Sequence, residues 1–369
     1  MMNIPFMRLD RQFEQHRATI MGLCAQVFSH GQVLQGPEVA ALEEQLCAVV
    51  GTKHAVAVGS GTDALYFALV SSGVGPGDRV AVPAMTFIAT ASPVIRAGAI
   101  PVFVDAGDDY QPDIAKTIEL VESGSVNAVV TAHLYGQLFD TAPLARACKD
   151  AGIVLIEDAA QALGATINGS APGTHSTAAS LSFDPMKIAG AFGSGGAIVT
   201  NDAGIADRIR RLRYHGRDQS RVYQELGYNS QLASVQAAII GFKLDHMDEW
   251  TDRRRQIANR YTAVLGEMTS TIPPRELPGS HHVFHKYVLT ADAKRNLLRK
   301  HLSEAGINTM VHYSSPLHTE PMFAGYIGPE ERFPEAERLA KEALSLPIYP
   351  ELADSEVDYV CEQLTVFKW

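Results

Sequence analysis

The chain of 369 residues has only four cysteines, and Cys24, Cys47, Cys148 and Cys361 are scattered with no C-x-x-C pair. That scatter argues against a disulfide framework and a zinc site, and no metal is expected elsewhere; the thiols read as small buried hydrophobes. Long hydrophobic runs are missing as well. No stretch reaches the roughly eighteen uninterrupted apolar residues of a membrane span, and Met1 to Arg8 lacks the charged and apolar regions of a secretory signal. A soluble, cytoplasmic protein is expected. Positive charge is in deficit too, since 31 Lys and Arg against 41 Asp and Glu give a formal net charge of −10. This leaves little general attraction for nucleic acid or an anionic membrane. The basic run Arg253-Arg254-Arg255 has Asp248, Glu249 and Asp252 as neighbours and reads as a solvated helix face with charge pairs. Repeats and low-complexity segments are absent, which sets aside solenoids and linker-rich chains.

What is present is a composition 46% hydrophobic, enough for a full core split into a larger and a smaller domain. Short apolar runs at Arg79 to Val82, Ala99 to Val104, Asn127 to Ala132 and Ile153 to Ile156 alternate with stretches of helical period such as Leu144 to Ala151. The alternation predicts an α/β domain with a mostly parallel sheet. A long helix is expected from near Gln231 towards Leu265, before Pro273, Pro274 and Pro278 interrupt the pattern. The remainder reads as a smaller α+β unit, with strands at His285 to Leu289 and Asn308 to His312 and a helix from Ala293 to Ala305. The expected domains are residues 1–245 and 246–369.

Three segments carry chemistry. The run Ile153 to Ile156 delivers Glu157-Asp158-Ala159-Ala160-Gln161 at its carboxyl end, the edge where open α/β sheets place ligands. Asp158 there either faces a site or caps a following helix. Ser182-Phe183-Asp184-Pro185-Met186-Lys187 precedes the small-residue stretch Ile188 to Gly196 and a strand-like run from Ala197 to Thr200. Burial among such residues lowers a lysine pKa and makes a neutral, nucleophilic amine accessible, as imine chemistry requires; a lone lysine can equally snorkel to the surface. Gly59-Ser60-Gly61-Thr62-Asp63 opens a helical segment from Ala64 to Ser71. Its backbone N–H groups suit a phosphate, and ordinary capping by Ser60 or Thr62 explains the same residues. One cofactor needs an acid for a pyridine nitrogen, a lysine for an imine and a helix start for a phosphate together, and that cofactor is pyridoxal phosphate (PLP).

At these segments the chain resembles the DegT/StrS-type sugar aminotransferases, a branch of the aspartate-aminotransferase fold. The resemblance begins at Gly31-Gln32-Val33-Leu34-Gln35-Gly36-Pro37-Glu38 and runs through Gly75-Pro76-Gly77-Asp78, Thr86-Phe87-Ile88-Ala89-Thr90-Ala91 and His133-Leu134-Tyr135-Gly136-Gln137. It takes in the S-F-x-P-x-K element ending at Lys187, then Gly195-Gly196-Ala197, His215-Gly216-Arg217, Gly227-Tyr228-Asn229-Ser230, Val311-His312-Tyr313 and Ser345-Leu346-Pro347. It implies the PLP-dependent transferase fold type I, with a mostly parallel mixed sheet in the large domain and a smaller C-terminal α+β domain. It implies that Lys187 carries the cofactor as a Schiff base, Asp158 contacts the pyridine nitrogen, Gln161 meets the phenolic oxygen and Phe87 stacks on the ring. Gly61, Thr62 and Ser182 would bind the phosphate, with Asn229 reaching in from a partner subunit, so that a homodimer shares its sites. His312 and Tyr313 resemble a segment that faces the sugar.

The implied reaction moves an amino group from an amino acid, L-glutamate, to a nucleotide-linked 3-keto or 4-keto sugar in amino-sugar or polysaccharide biosynthesis. Related dehydratases have histidine in place of the Schiff-base lysine, so Lys187 favours transamination; a PLP-dependent sugar dehydratase or isomerase remains the alternative within enzymes, and a non-catalytic regulatory relative is disfavoured by the absence of an added DNA-binding module and by the full set of cofactor residues. The chain departs from the resemblance at Gln231 and Ala233, where arginine and aspartate are common, so the partner-derived wall is expected to be less charged. His133 reads as a site residue or as a hydrogen-bonded structural one. His281, His282 and His285 read as structural or surface residues, with His281 and His285 on one strand face.

Overall fold

The computed structural model describes residues 2–107, 109–268, 271–292 and 294–367. In chain order its strands are β1 (His54–Val58), β2 (Arg79–Pro83), β3 (Ile100–Val104), β4 (Ala128–Ala132), β5 (Val154–Asp158), β6 (Thr166–Ile167), β7 (Ala178–Ser182) and β8 (Gly196–Thr200). They are followed by β9 (Thr271–Ile272), β10 (Ser280–His281), β11 (Tyr287–Ala291) and β12 (Ala343–Leu346). The main sheet has seven strands in the order β1-β8-β7-β5-β4-β2-β3. Strands β3, β2, β4, β5 and β7 run parallel, while β8 is antiparallel to both of its neighbours.

Parallel neighbours need crossovers, and these place helices Ile88–Arg96, Ile114–Glu122 and Ala142–Asp150 between successive strands from β2 to β5. Burial on both faces explains the unbroken apolar runs read from the sequence: every residue of β4 and β8 is buried. The α/β expectation therefore holds. Strand β5 runs on through Asp158, so the acid belongs to the strand itself.

Elsewhere the structure departs from the sequence pattern. The expected single helix from Gln231 to Leu265 is two, Ser234–Asp245 and Met247–Leu265, parted at His246 with φ −101° and ψ 2°. His246 packs on Phe242 and stacks on Trp250, with ring centroids 4.7 Å and 5.4 Å away. A break of one residue leaves the apolar period almost in phase and so invisible in sequence. Strand β11 begins two residues later than expected, because His285 and Lys286 turn into a cavity. The expected strand at Asn308 to His312 reduces to one bridge between Met310 and Ser345, after which the chain turns away. The helix near it spans Arg295–Glu304; its expected start at Ala293 lies outside the described residues.

β12-β11-β9 form a small antiparallel sheet over a core that includes Ile4, Tyr261, Leu298 and Val360. Residues from the same half of the chain also enter the large core, where Phe323 and Phe333 pack edge-on against Phe103 at 5.2 Å and 6.4 Å. The two parts are thus knitted together rather than simply abutting.

The arginine run makes charge pairs as expected, with partners other than its sequence neighbours, but Arg254 is not on a solvated face. Arg253 pairs with Asp354 at 2.9 Å, and Arg255 with Glu276 at 3.0 Å. Arg254 is buried and donates to the carbonyl oxygens of Ile348 at 2.8 Å and Phe284 at 3.4 Å. Burial pushes its pKa down to about 10. Arg254→Met strands both carbonyls without a donor and is expected to cost about 2 kcal/mol, read as a lower urea midpoint at unchanged slope.

Candidate active site

The carboxyl ends of β4, β5 and β7 open into a cavity of about 400 Å³, closed on its other side by His285, Lys286, His312 and Tyr313. This is where an open parallel sheet leaves room for a ligand. Asp158 ends β5 inside it. Its Oδ2 accepts from the Thr90 hydroxyl at 2.7 Å, and its Oδ1 from the Ala160 N–H at 3.1 Å. No helix follows directly, so the reading of Asp158 as a helix cap fails and the carboxylate is held by donors towards the cavity.

Lys187 follows β7 through a tight turn. The Asp184 carbonyl accepts from the Lys187 N–H at 2.8 Å, and the Asp184 carboxylate accepts from the Met186 N–H at 3.0 Å. Gly190 permits this wrap, because a Cβ there would lie 2.5 Å from the Asp184 carbonyl oxygen. Burial lowers the Lys187 pKa, opposed by the charges of Asp158 and then Asp184. The arrangement makes a neutral amine available beside an acid that can stabilise a cation.

The helix Gly61–Ser71 starts at the third wall. Ser60 caps it by accepting from the Asp63 N–H at 3.1 Å, while Gly61 and Thr62 belong to the first turn, whose N–H groups precede the helical ladder. Strand β8 passes close beneath: a Cβ on Gly196 would lie 2.4 Å from the Ser60 carbonyl, and one on Gly61 would lie 2.7 Å from Ser182 Cβ. Two glycines thus keep open a cradle of backbone donors and hydroxyls, the chemistry a phosphate needs.

Gln161 ties the two sides together. Its Oε1 accepts from the Tyr135 N–H at 2.9 Å and its Nε2 donates to the Tyr313 hydroxyl at 2.9 Å. Tyr135 and Gly136 have φ of 60° and 102°, a turn that brings the chain beside His285; a Cβ on Gly136 would stand 2.6 Å from the His285 backbone nitrogen. Phe87 is half exposed at the mouth, its ring 5.8 Å from that of Tyr313. His312 bonds through Nδ1 to the Ser345 hydroxyl at 2.8 Å, and burial beside Lys286 and Lys187 takes its pKa down to about 3. It is therefore a neutral imidazole.

Of the residues read from the sequence, Gly61, Thr62, Phe87, Asp158, Gln161, Ser182, Lys187, His312 and Tyr313 all line this one cavity. Asn229 does not. It lies exposed beyond the cavity of its own chain, with its Oδ1 accepting from Gln231 Nε2 at 3.0 Å. His133 lines the cavity while its Nε2 bonds Glu157 at 2.7 Å, both residues being buried. The histidine trio is split: His281 is exposed, His282 stacks at 3.9 Å on Phe284, and His285 lines the cavity. The expectation of one face for His281 and His285 fails, because strand alternation ends with β10 at His281. Sequence reasoning also missed the roles of Thr90, which lies in a segment that carries the resemblance but has no contact implied by it, and of Lys286, which sits in an ordinary-looking segment. Among the described residues no group of three or more His, Cys, Asp and Glu is placed to hold a metal ion.

An acid at the end of a parallel strand, a buried lysine beside it and a glycine-lined phosphate cradle fit PLP, and with this sheet they define a PLP-dependent transferase of fold type I. The chain belongs to the DegT/DnrJ/EryC1/StrS aminotransferase family, whose profile matches residues 14–365. It is a PLP-dependent sugar aminotransferase. It is 43% identical to the "Pleiotropic regulatory protein" of Geobacillus stearothermophilus over 99% of each chain. To the dTDP-3-amino-3,4,6-trideoxy-alpha-D-glucose transaminase of Streptomyces venezuelae it is 38% identical, over 95% of this chain and 92% of the relative. The crystal structure of S. venezuelae DesV in complex with a ketimine intermediate superposes with a TM-score of 0.95 at 37% identity, covering 99% of this chain and 98% of that one.

Proposed function

We propose that the enzyme moves the amino group of L-glutamate to a nucleotide-linked keto sugar in amino-sugar or polysaccharide biosynthesis, as a cytoplasmic homodimer with shared sites. The observation that carries the choice of acceptor is the shape of the site. At Thr86, Phe87 and Tyr313 the inner cavity adjoins an outer groove of about 610 Å³, lined also by Val311, Leu317 and Met322. A keto acid has no use for that extension, whereas a sugar with a nucleotide attached must project into one. The name of the Streptomyces transaminase puts the new nitrogen at C3, which favours a 3-keto acceptor over a 4-keto one.

When bound, PLP supplies an electron sink for the bond broken at the donor carbon. Lys187 would hold the cofactor, and its Nζ, when neutral and free, would remove and return the transferred proton. Asp158, fixed by Thr90 and Ala160, would keep the pyridine nitrogen protonated. Gln161 would bond the phenolic oxygen, Phe87 would cover the ring, and Gly61, Thr62 and Ser182 would bind the phosphate. His312 and Tyr313 face the sugar.

The partner contribution rests on Asn229. It lies in a segment whose Tyr223 and Leu226 are 69% and 87% exposed in the single chain, an apolar surface suited to a second copy. A regulatory role, as the name of the Geobacillus relative has it, is less well supported, because this chain keeps Asp158, Gln161, Ser182 and the Gly61-Thr62 helix start around Lys187.

The test is transfer of label. With ¹⁵N-glutamate and a panel of dTDP- and UDP-linked keto sugars, mass spectrometry is expected to find ¹⁵N in one amino sugar. Conversion of the cofactor by glutamate with no labelled sugar from the whole panel would overturn the acceptor class.

A further inference from the structure

Lys286 is a cation that the roles above leave unused. It enters the cavity just ahead of β11, from the wall that also carries His312 and Tyr313, whereas the phosphate cradle belongs to the main sheet. Its residue is 5% exposed. Among the described residues, no carboxylate lies within ion-pair distance of its Nζ, which sits over the face of Phe6 at 4.9 Å.

Among the described residues, other buried cations each meet at least one oxygen partner. Lys243 donates to the Gly190 carbonyl, Arg254 to that of Ile348, and Arg213 pairs with Glu43 at 2.6 Å. An ammonium buried without an anion is unfavourable, and the strain shows: burial, then Arg254 and Lys187, push the Lys286 pKa down to about 7, with Asp184 opposing. The arrival of an anion reverses that strain.

We propose that Lys286 is the residue that binds the carboxylate of the incoming amino acid, Nζ pairing with the carboxylate on the carbon whose amine is exchanged. The inference rests on the reading of the site as one that takes an amino-acid donor. Among the described residues, Lys187 and Lys286 are the only lysines or arginines lining the cavity, and Lys187 is committed to the cofactor.

Distance along the substrate decides between carboxylate and diphosphate. The donor carboxylate is one bond from the reacting carbon, so it must lie near Lys187, and Lys286 lines the same cavity of about 400 Å³. The diphosphate of a nucleotide sugar is attached at C1, separated by ring atoms from a keto group at C3 or C4. It lies further out, towards Phe87 and Met322.

The test uses the PLP-loaded enzyme and its Lys286→Gln and Lys286→Arg variants, each first shown to have wild-type circular dichroism and cofactor absorption. Conversion of the cofactor is followed by stopped flow against L-glutamate concentration, and binding of dTDP and UDP is measured by calorimetry. Lys286→Gln is expected to raise the half-saturating glutamate concentration about 30-fold. Its limiting rate is expected to stay within about threefold and its nucleotide affinity to be unchanged, with Lys286→Arg in between.

An unchanged half-saturation, or a loss of nucleotide affinity larger than that for glutamate, overturns the assignment. Wild-type enzyme that responds to no amino acid would instead remove the donor reading itself. Wild type that responds while Lys286→Gln matches it removes only the role of Lys286.

Discussion

Lys187→Ala is expected to lower kcat by about 10⁴-fold or more while leaving the fold intact. The side chain projects into the cavity, and among the described residues its Nζ makes no hydrogen bond, so its removal leaves no buried partner stranded. What disappears is the amine that holds the cofactor and shuttles the proton. Lys187→Arg is the sharper control. It preserves positive charge near Asp158, yet a guanidinium stays protonated in proteins and serves neither as nucleophile nor as base. Both variants are expected to be inactive in multiple turnover. Activity above a tenth of wild type in Lys187→Arg would show that charge, rather than a neutral amine, is what the reaction uses.

Asp158→Asn is expected to reduce kcat by about 10²- to 10³-fold, with a thermal midpoint close to wild type. The amide keeps the shape of the carboxylate and can still accept from the Ala160 N–H and meet the Thr90 hydroxyl, so the local hydrogen-bond pattern survives. The lost feature is the negative charge that sustains a protonated pyridine nitrogen. The cofactor absorption of the variant should respond to pH differently from wild type, whereas a purely structural role would leave that response in place. Near-normal turnover would sink the role given to Asp158.

Much of this site was legible in the sequence, because the relevant signals are local. Asp158 sits at the end of an apolar run, Lys187 among small residues and Gly61-Thr62 at a helix start, and each of these is a statement about a few consecutive residues. The roles of Gln161, Ser182 and Phe87 came from resemblance across the chain and not from their own surroundings. His285 and Lys286 carried no such signal. They precede an ordinary strand, and what makes them part of the cavity is the pair of left-handed residues Tyr135 and Gly136, about 150 positions away in sequence, against which the chain folds.

The same contrast runs through the fold. Alternating apolar runs determined the parallel sheet, since strands buried on both faces must be apolar throughout. The loss of a strand at Asn308 to His312 and the pairing of Arg253, Arg254 and Arg255 were decided by partners far along the chain. A sequence records local preference and periodicity. Which buried charge meets a carbonyl, and which meets only an aromatic face until a substrate arrives, depends on long-range packing, and only the tertiary structure supplies it.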